Sequence, residues 1–233
     1  SGHLRNLARA SRYLSQILIP ASIIFVVFSN ASLPIMAAFL FATIAYSILA
    51  WKFPSVVFAY SALGASIGAV IFALRAVDMP PQWYATVGSV LALAYILLGQ
   101  LVKRTKIESV IIQNYTKALN ITGFILIGLA AIDGIILAFD EKTLWSSVIA
   151  FAISSLDLAI CAFLFKHSRY TLFASGLVIA PFTLAIARWL NDAQTVQGLT
   201  WLTVAWGVLA LAYIALAAIL QKAGSHARWL YAW

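Results

Sequence analysis

The chain has 233 residues, of which 64% are hydrophobic and only 9% charged, with a mean hydropathy of +0.98. An ordinary globular domain carries roughly 25% charge, so this chain lacks the polar residues to cover a water-exposed surface. That excludes a soluble enzyme and, despite the net charge of +8, a nucleic-acid-binding domain; the single cysteine, Cys161, excludes an intramolecular disulfide and a cysteine-cluster metal site.

In chain order, residues 1–13 form a basic amphipathic segment. Leu4 and Leu7, with Leu14 just beyond, share one helical face, and Arg5, Arg9 and Arg12 another, the pattern of a helix lying on an anionic cytoplasmic leaflet. A helix crossing the hydrocarbon needs roughly 20 mostly apolar residues. Eight segments meet that need: 14–29, 33–51, 54–74 and 84–102 in a first transmembrane unit (14–102), then 119–139, 144–165, 170–189 and 199–220 in a second (119–220). Pro34 and Pro54 stand at helix starts, where a missing N–H costs nothing. Between the units, 103–118 reads as a basic cytoplasmic connector whose IESVIIQNYTKAL is either a surface helix or an extension of its neighbours. Residues 221–233 form an aromatic and basic cytoplasmic tail.

Charge orients the spans. With both termini on one side, that side holds twelve of the fifteen lysines and arginines, leaving Arg75, Lys142 and Arg188 on the other. Positive charge concentrates on the cytoplasmic side, so the expectation is an all-α, polytopic transmembrane bundle of about eight helices with cytoplasmic termini. The location that fits is the inner membrane of a bacterium.

The string VLALAYI occurs at 90–96 and again at 208–214. Each copy follows a tryptophan at the same spacing (Trp83, Trp201). Each is also preceded by an arginine and then an acid at the outer end of the previous helix, Arg75 with Asp78 and Arg188 with Asp192. Those previous helices each begin after a cytoplasmic lysine, Lys52 or Lys166. The expectation is that helices 2–4 and 6–8 are two related units running parallel, about an axis along the membrane normal. Residues 52–99, with the order helix, Arg75, loop, Pro80-Pro81-Gln82-Trp83-Tyr84, Ala/Leu-rich helix, resemble bacterial repeat-containing multi-spanning membrane proteins of unknown function. The resemblance weakens over 166–220, which keep Arg188, Trp201 and the repeated string but lack the paired prolines. It implies a repeat-built helical bundle and no activity.

Two acids fall inside spans, Asp133 in LAAIDGIIL and Asp157 in AISSLDLAIC. A carboxylate in hydrocarbon costs about 2.5–3.5 kcal/mol on insertion scales, so each needs a reason. Ser147, Ser154, Asp157 and Cys161 lie on one helical stripe. Asp157 is level with Tyr213 and Tyr60, either of which could donate to it; Asp133 is level with Arg188 or Arg75. These polar residues form the candidate intramembrane site. Asp157 is either a proton- or cation-coupling carboxylate or a hydrogen-bonded helix glue. Gly64 and Gly68 in GASIG mark a helix-packing face, and Pro181 is expected to kink its helix.

No lysine lies in a span to hold a retinal, no histidine pair falls within the bilayer for haem or metal, and no nucleophile–base pair is visible. A non-enzymatic protein without cofactor is expected. Two functions fit: a structural or accessory subunit of a larger membrane assembly, partnered by other membrane subunits or by itself, or a small-solute or lipid transporter with its site between the repeats, proton-coupled through Asp157.

Overall fold

The computed structural model of the chain describes residues 32–53, 55–104, 109–140, 142–190 and 196–222. The surface segment at 1–13, the first expected span at 14–29 and the tail lie outside the described residues. Among the described residues seven helices are long and apolar enough to cross a membrane: α1 Ser32–Lys52, α2 Val56–Ala76, α3 Tyr84–Arg104, α4 Val110–Leu137, α5 Leu144–Phe165, α6 Ser168–Leu190 and α7 Val196–Lys222. A single 3₁₀ turn, Pro81–Trp83, leads into α3, and no strand occurs among the described residues. The chain is an integral membrane protein built of helices.

The helices belong to two compact units, one running to Pro80 and including Val102–Leu119, the other made of Pro81–Leu101 and everything from Asn120. In the first unit α1 and α2 form a hairpin. Its core is a small-residue seam, Ala42, Tyr46 and Ala50 on α1 against Phe58, Ala62 and Ala65 on α2. The rings of Tyr46 and Phe58 stack at 6.4 Å, and those of Phe39 and Phe72 at 5.6 Å. Small side chains let the backbones approach, which is the main source of helix affinity where lipid removes the hydrophobic drive.

The expected Gly64–Gly68 packing face is half corrected. At Gly68 a Cβ would meet the Phe39 ring at 2.5 Å, so the missing side chain makes room for that ring. Gly64 faces open space instead. Helical spacing put both on one side, but the close contact is carried by the alanine stripe 62–65–69, which is buried at every position.

The segment at 110–118 is helical and continuous with the next span, so of the two alternatives it is the extension. Twenty-eight residues make α4 about 42 Å long. Polar Gln113, Asn114 and Lys117 hide this start from a hydropathy reading, yet Tyr115 is packed against the hairpin core and donates its hydroxyl to the Ser47 carbonyl at 3.2 Å.

In the second unit the core sits on α4 and α5. Buried residues make up 39% of the most apolar 18-residue stretch in each, against 11% in α6 and none in α7. The α4–α5 turn is tied by Thr143, whose hydroxyl donates to the Leu137 carbonyl at 2.7 Å, and by Asp140, which accepts the Lys142 N–H at 3.0 Å. The α5–α6 turn is made by Lys166 in the left-handed region (φ 51°), a costly conformation for a residue with a Cβ that ends α5 within one residue. Phe124, Phe165, Tyr170 and His167 pack together at this end, with Phe124 and Tyr170 stacked at 5.2 Å.

Candidate functional site

The second unit is held by serines. Ser89 on α3 and Ser154 on α5 share a hydrogen bond of 2.8 Å, both fully buried. Ser147 donates to the Gly134 carbonyl of α4 at 2.6 Å, and Ser155 to the Ala174 carbonyl of α6 at 2.8 Å. Gly134 permits the first of these by leaving room for the Phe151 ring beside it. Each bond satisfies a polar group that lipid could not. Together they tie α5 to three neighbours.

Asp157 takes no part in this network. It is 0% exposed, and neither carboxyl oxygen has a hydrogen-bond partner among the described residues. The stripe that carries it, Ser147, Ser154, Asp157 and Cys161, is buried throughout. Counting about 1.5 Å per residue, Asp157 lies about 20 Å from the Leu144 end of α5 and about 12 Å from the Phe165 end. An ionised carboxylate there would have neither counter-charge nor donor, the most costly arrangement available to it. Among the described residues no group of three or more His, Cys, Asp or Glu could hold a metal ion.

The expected tyrosine partner is corrected. Tyr213 donates its hydroxyl to the Ser175 carbonyl of α6 at 2.8 Å. A second bond from α7 also runs to α6, from Trp206 Nε1 to Thr183 Oγ1 at 2.9 Å, and the Tyr213 hydroxyl is spent on α6 before it could reach α5. Tyr60 belongs to α2, in the first unit.

The remaining candidates do not gather around Asp157. Asp133 is half-buried on α4, about ten residues from the level of Asp157 by the pairing of Gly134 with Ser147. It forms no ion pair with Arg188 or Arg75 among the described residues, and both arginines are exposed at helix ends. The Arg75 guanidinium lies over the Phe72 ring at 5.2 Å, which accounts for its position without an anion. Pro181 is buried within α6, and the helix runs through it without a break.

Two features escaped the sequence reading. Ser89 and Ser155 take part in two of the three interhelical bonds of α5; for Ser155 the doublet Ser154-Ser155 was the available signal, since paired serines serve two adjacent faces. The second feature is an open apolar groove of about 520 Å³ along α4, α5 and α6, lined by Ile135, Phe139, Phe151, Gly176, Ile179 and Thr183 among others. In comparisons with known proteins, no family model matches the chain, and neither does any curated protein or solved structure.

Proposed function

We propose that this chain is a non-enzymatic subunit of a larger assembly in a bacterial inner membrane, an eight-helix bundle with cytoplasmic termini and two related units, of the repeat-built kind that residues 52–99 resemble. The observation that carries the reading is α7. Over its most apolar 18 residues none is buried, yet it is not composed like a lipid-facing helix. Thr203, Gly207, Ala210 and Ala217 fall on one exposed face, with Ile214 the one large side chain among them, and Gly207 has open space where its side chain would be. Lipid gives no reason for a face of mostly small residues, whereas a neighbouring transmembrane helix does. The occupant of that face is a helix of another membrane subunit. Leucine at Gly207 and Ala210 would then abolish co-purification of the partner while leaving the monomer folded. Co-purification unchanged in the double variant would refute the assignment.

A second reading, transport of a small solute or lipid, is favoured by one observation: the serines already do the work of helix glue, which leaves the buried Asp157 without a structural role. Proton-coupled uptake lost in Asp157→Asn vesicles would support it, and equal uptake in both would remove it.

A further inference from the structure

Asp157 is one of several buried polar groups in the second unit that lack partners. Gln100 Nε2 on α3, Asn120 Oδ1 on α4 and Thr171 Oγ1 on α6 are also buried without a hydrogen bond. All three lie toward one end of the unit. Gln100 is about 6 Å from the Arg104 end of α3, Asn120 about 15 Å from the Val110 end of α4, and Thr171 about 5 Å from the Ser168 end of α6. Within the unit, Phe124 and Tyr170 pack on Phe165, so Asn120 and Thr171 lie toward the Phe165 end of α5, the nearer one to Asp157. A fourth orphan, Thr86, lies near the opposite end of α3.

Donors and acceptors buried without partners are occupied by ordered water where there is room for it. Here a donor, an acceptor and a hydroxyl, contributed by three helices, lie toward the end of the unit that is nearer to a carboxyl able both to give and to accept. Gln100, Asn120 and Thr171 are each partly exposed as residues although the named atoms are buried, so the series opens toward the surface. We propose that Asp157 is a proton-binding site reached from the Phe165 end of α5 along a water-filled path held by Asn120, Gln100 and Thr171 of the same unit.

The step is a plain proton transfer: hydronium at the mouth protonates a water of the path, and the innermost water protonates a carboxyl oxygen of Asp157. Nothing is oxidised, and the reverse step returns the proton. The titratable or charged groups on the helices around Asp157 in this unit are Tyr84 and Tyr95 on α3, Asp133 on α4, Cys161 on α5, and Arg169, Tyr170 and Arg188 on α6. The three charged ones stand apart from it: Arg169 and Arg188 are exposed at the ends of α6, and Asp133 lies toward the far end of α4. Cys161, one turn from Asp157 toward the proposed mouth and fully buried, is a built-in reporter of water.

The proposal deepens the transport reading and rests on its premise that Asp157 is not helix glue, but it does not require that any solute move. Its test is infrared spectroscopy of the full chain in lipid nanodiscs, transferred from H₂O to D₂O. The expected result is a carboxylic-acid carbonyl band, absent in Asp157→Asn, that shifts within the mixing time, with the Cys161 S–H band exchanging alongside it. Gln100→Met and Thr171→Val, each close in shape, should slow the Asp157 exchange by about tenfold. Absence of the band, absence of exchange, or exchange equally fast in both variants would overturn the proposal. Failure of proton-coupled uptake alone would remove the transport reading and leave the proton site standing.

Discussion

Gly123 is the place where the packing of the second unit can be tested most sharply. A Cβ added there would stand 2.6 Å from Ile96 Cγ1 and 3.0 Å from the Ala92 carbonyl oxygen, both on α3. Carbon atoms meet at about 3.5–4.0 Å, so about 1 Å of room is missing. Ile96 is 0% exposed and has nowhere to rotate, and the carbonyl is backbone. Gly123→Ala must therefore push α3 away from α4, and overpacking of this kind costs about 1–3 kcal/mol. Helix propensity works the other way, favouring alanine by about 0.5–1 kcal/mol. Gly128, on the same helix, has no atom within 4 Å of its missing Cβ. Gly128→Ala therefore gains the propensity and meets no clash. The difference between the two variants cancels propensity and isolates the packing cost of about 1–3 kcal/mol, with Gly123→Ala the less stable. Reversible unfolding in mixed micelles, followed by tryptophan fluorescence, measures it. Equal stabilities, or Gly128→Ala as the weaker variant, would refute the close approach of α3 to α4.

The same assay checks three further expectations. Ser154→Ala leaves Ser89 buried without its partner and should cost about 0.6–1.7 kcal/mol, the range seen for interhelical hydrogen bonds in membranes. Asp157→Leu should leave stability unchanged or raise it, because it removes a desolvated carboxyl that holds nothing together; a loss matching that of Ser154→Ala would restore Asp157 as helix glue. Trp206→Phe removes one hydrogen bond to Thr183 on an exposed helix and should change stability by no more than about 0.5 kcal/mol; a larger loss would mean that α7 is fixed by its own chain rather than by a partner.

What could be read in the sequence depended on which physical signal a residue carries. Spans from 33 to 220 were legible because hydropathy over some twenty residues is set by the bilayer and needs no knowledge of neighbours. The α4 extension was ambiguous because Gln113, Asn114 and Lys117 interrupt the apolar run, and only the contact of Tyr115 with the α1–α2 hairpin decides it. Faces were harder still. A helix hydrophobic all round offers no moment to show its buried side, so Gly64 and Gly68 looked equivalent although only Gly68 has a ring against it. The buried stripe through Asp157 was legible from polar spacing on α5, whereas its partners were not. The tyrosine expected to satisfy it donates to α6 instead, a matter of which helices are neighbours and not of depth.

The most direct test of the assembly assignment is native mass spectrometry on the chain released gently from its own membrane, with α7 carrying a photo-crosslinker beside Gly207. The account predicts recovery in fixed stoichiometry with another membrane subunit, crosslinked through that face of α7. Recovery of the chain alone, with the crosslinker bound only to lipid, would contradict it.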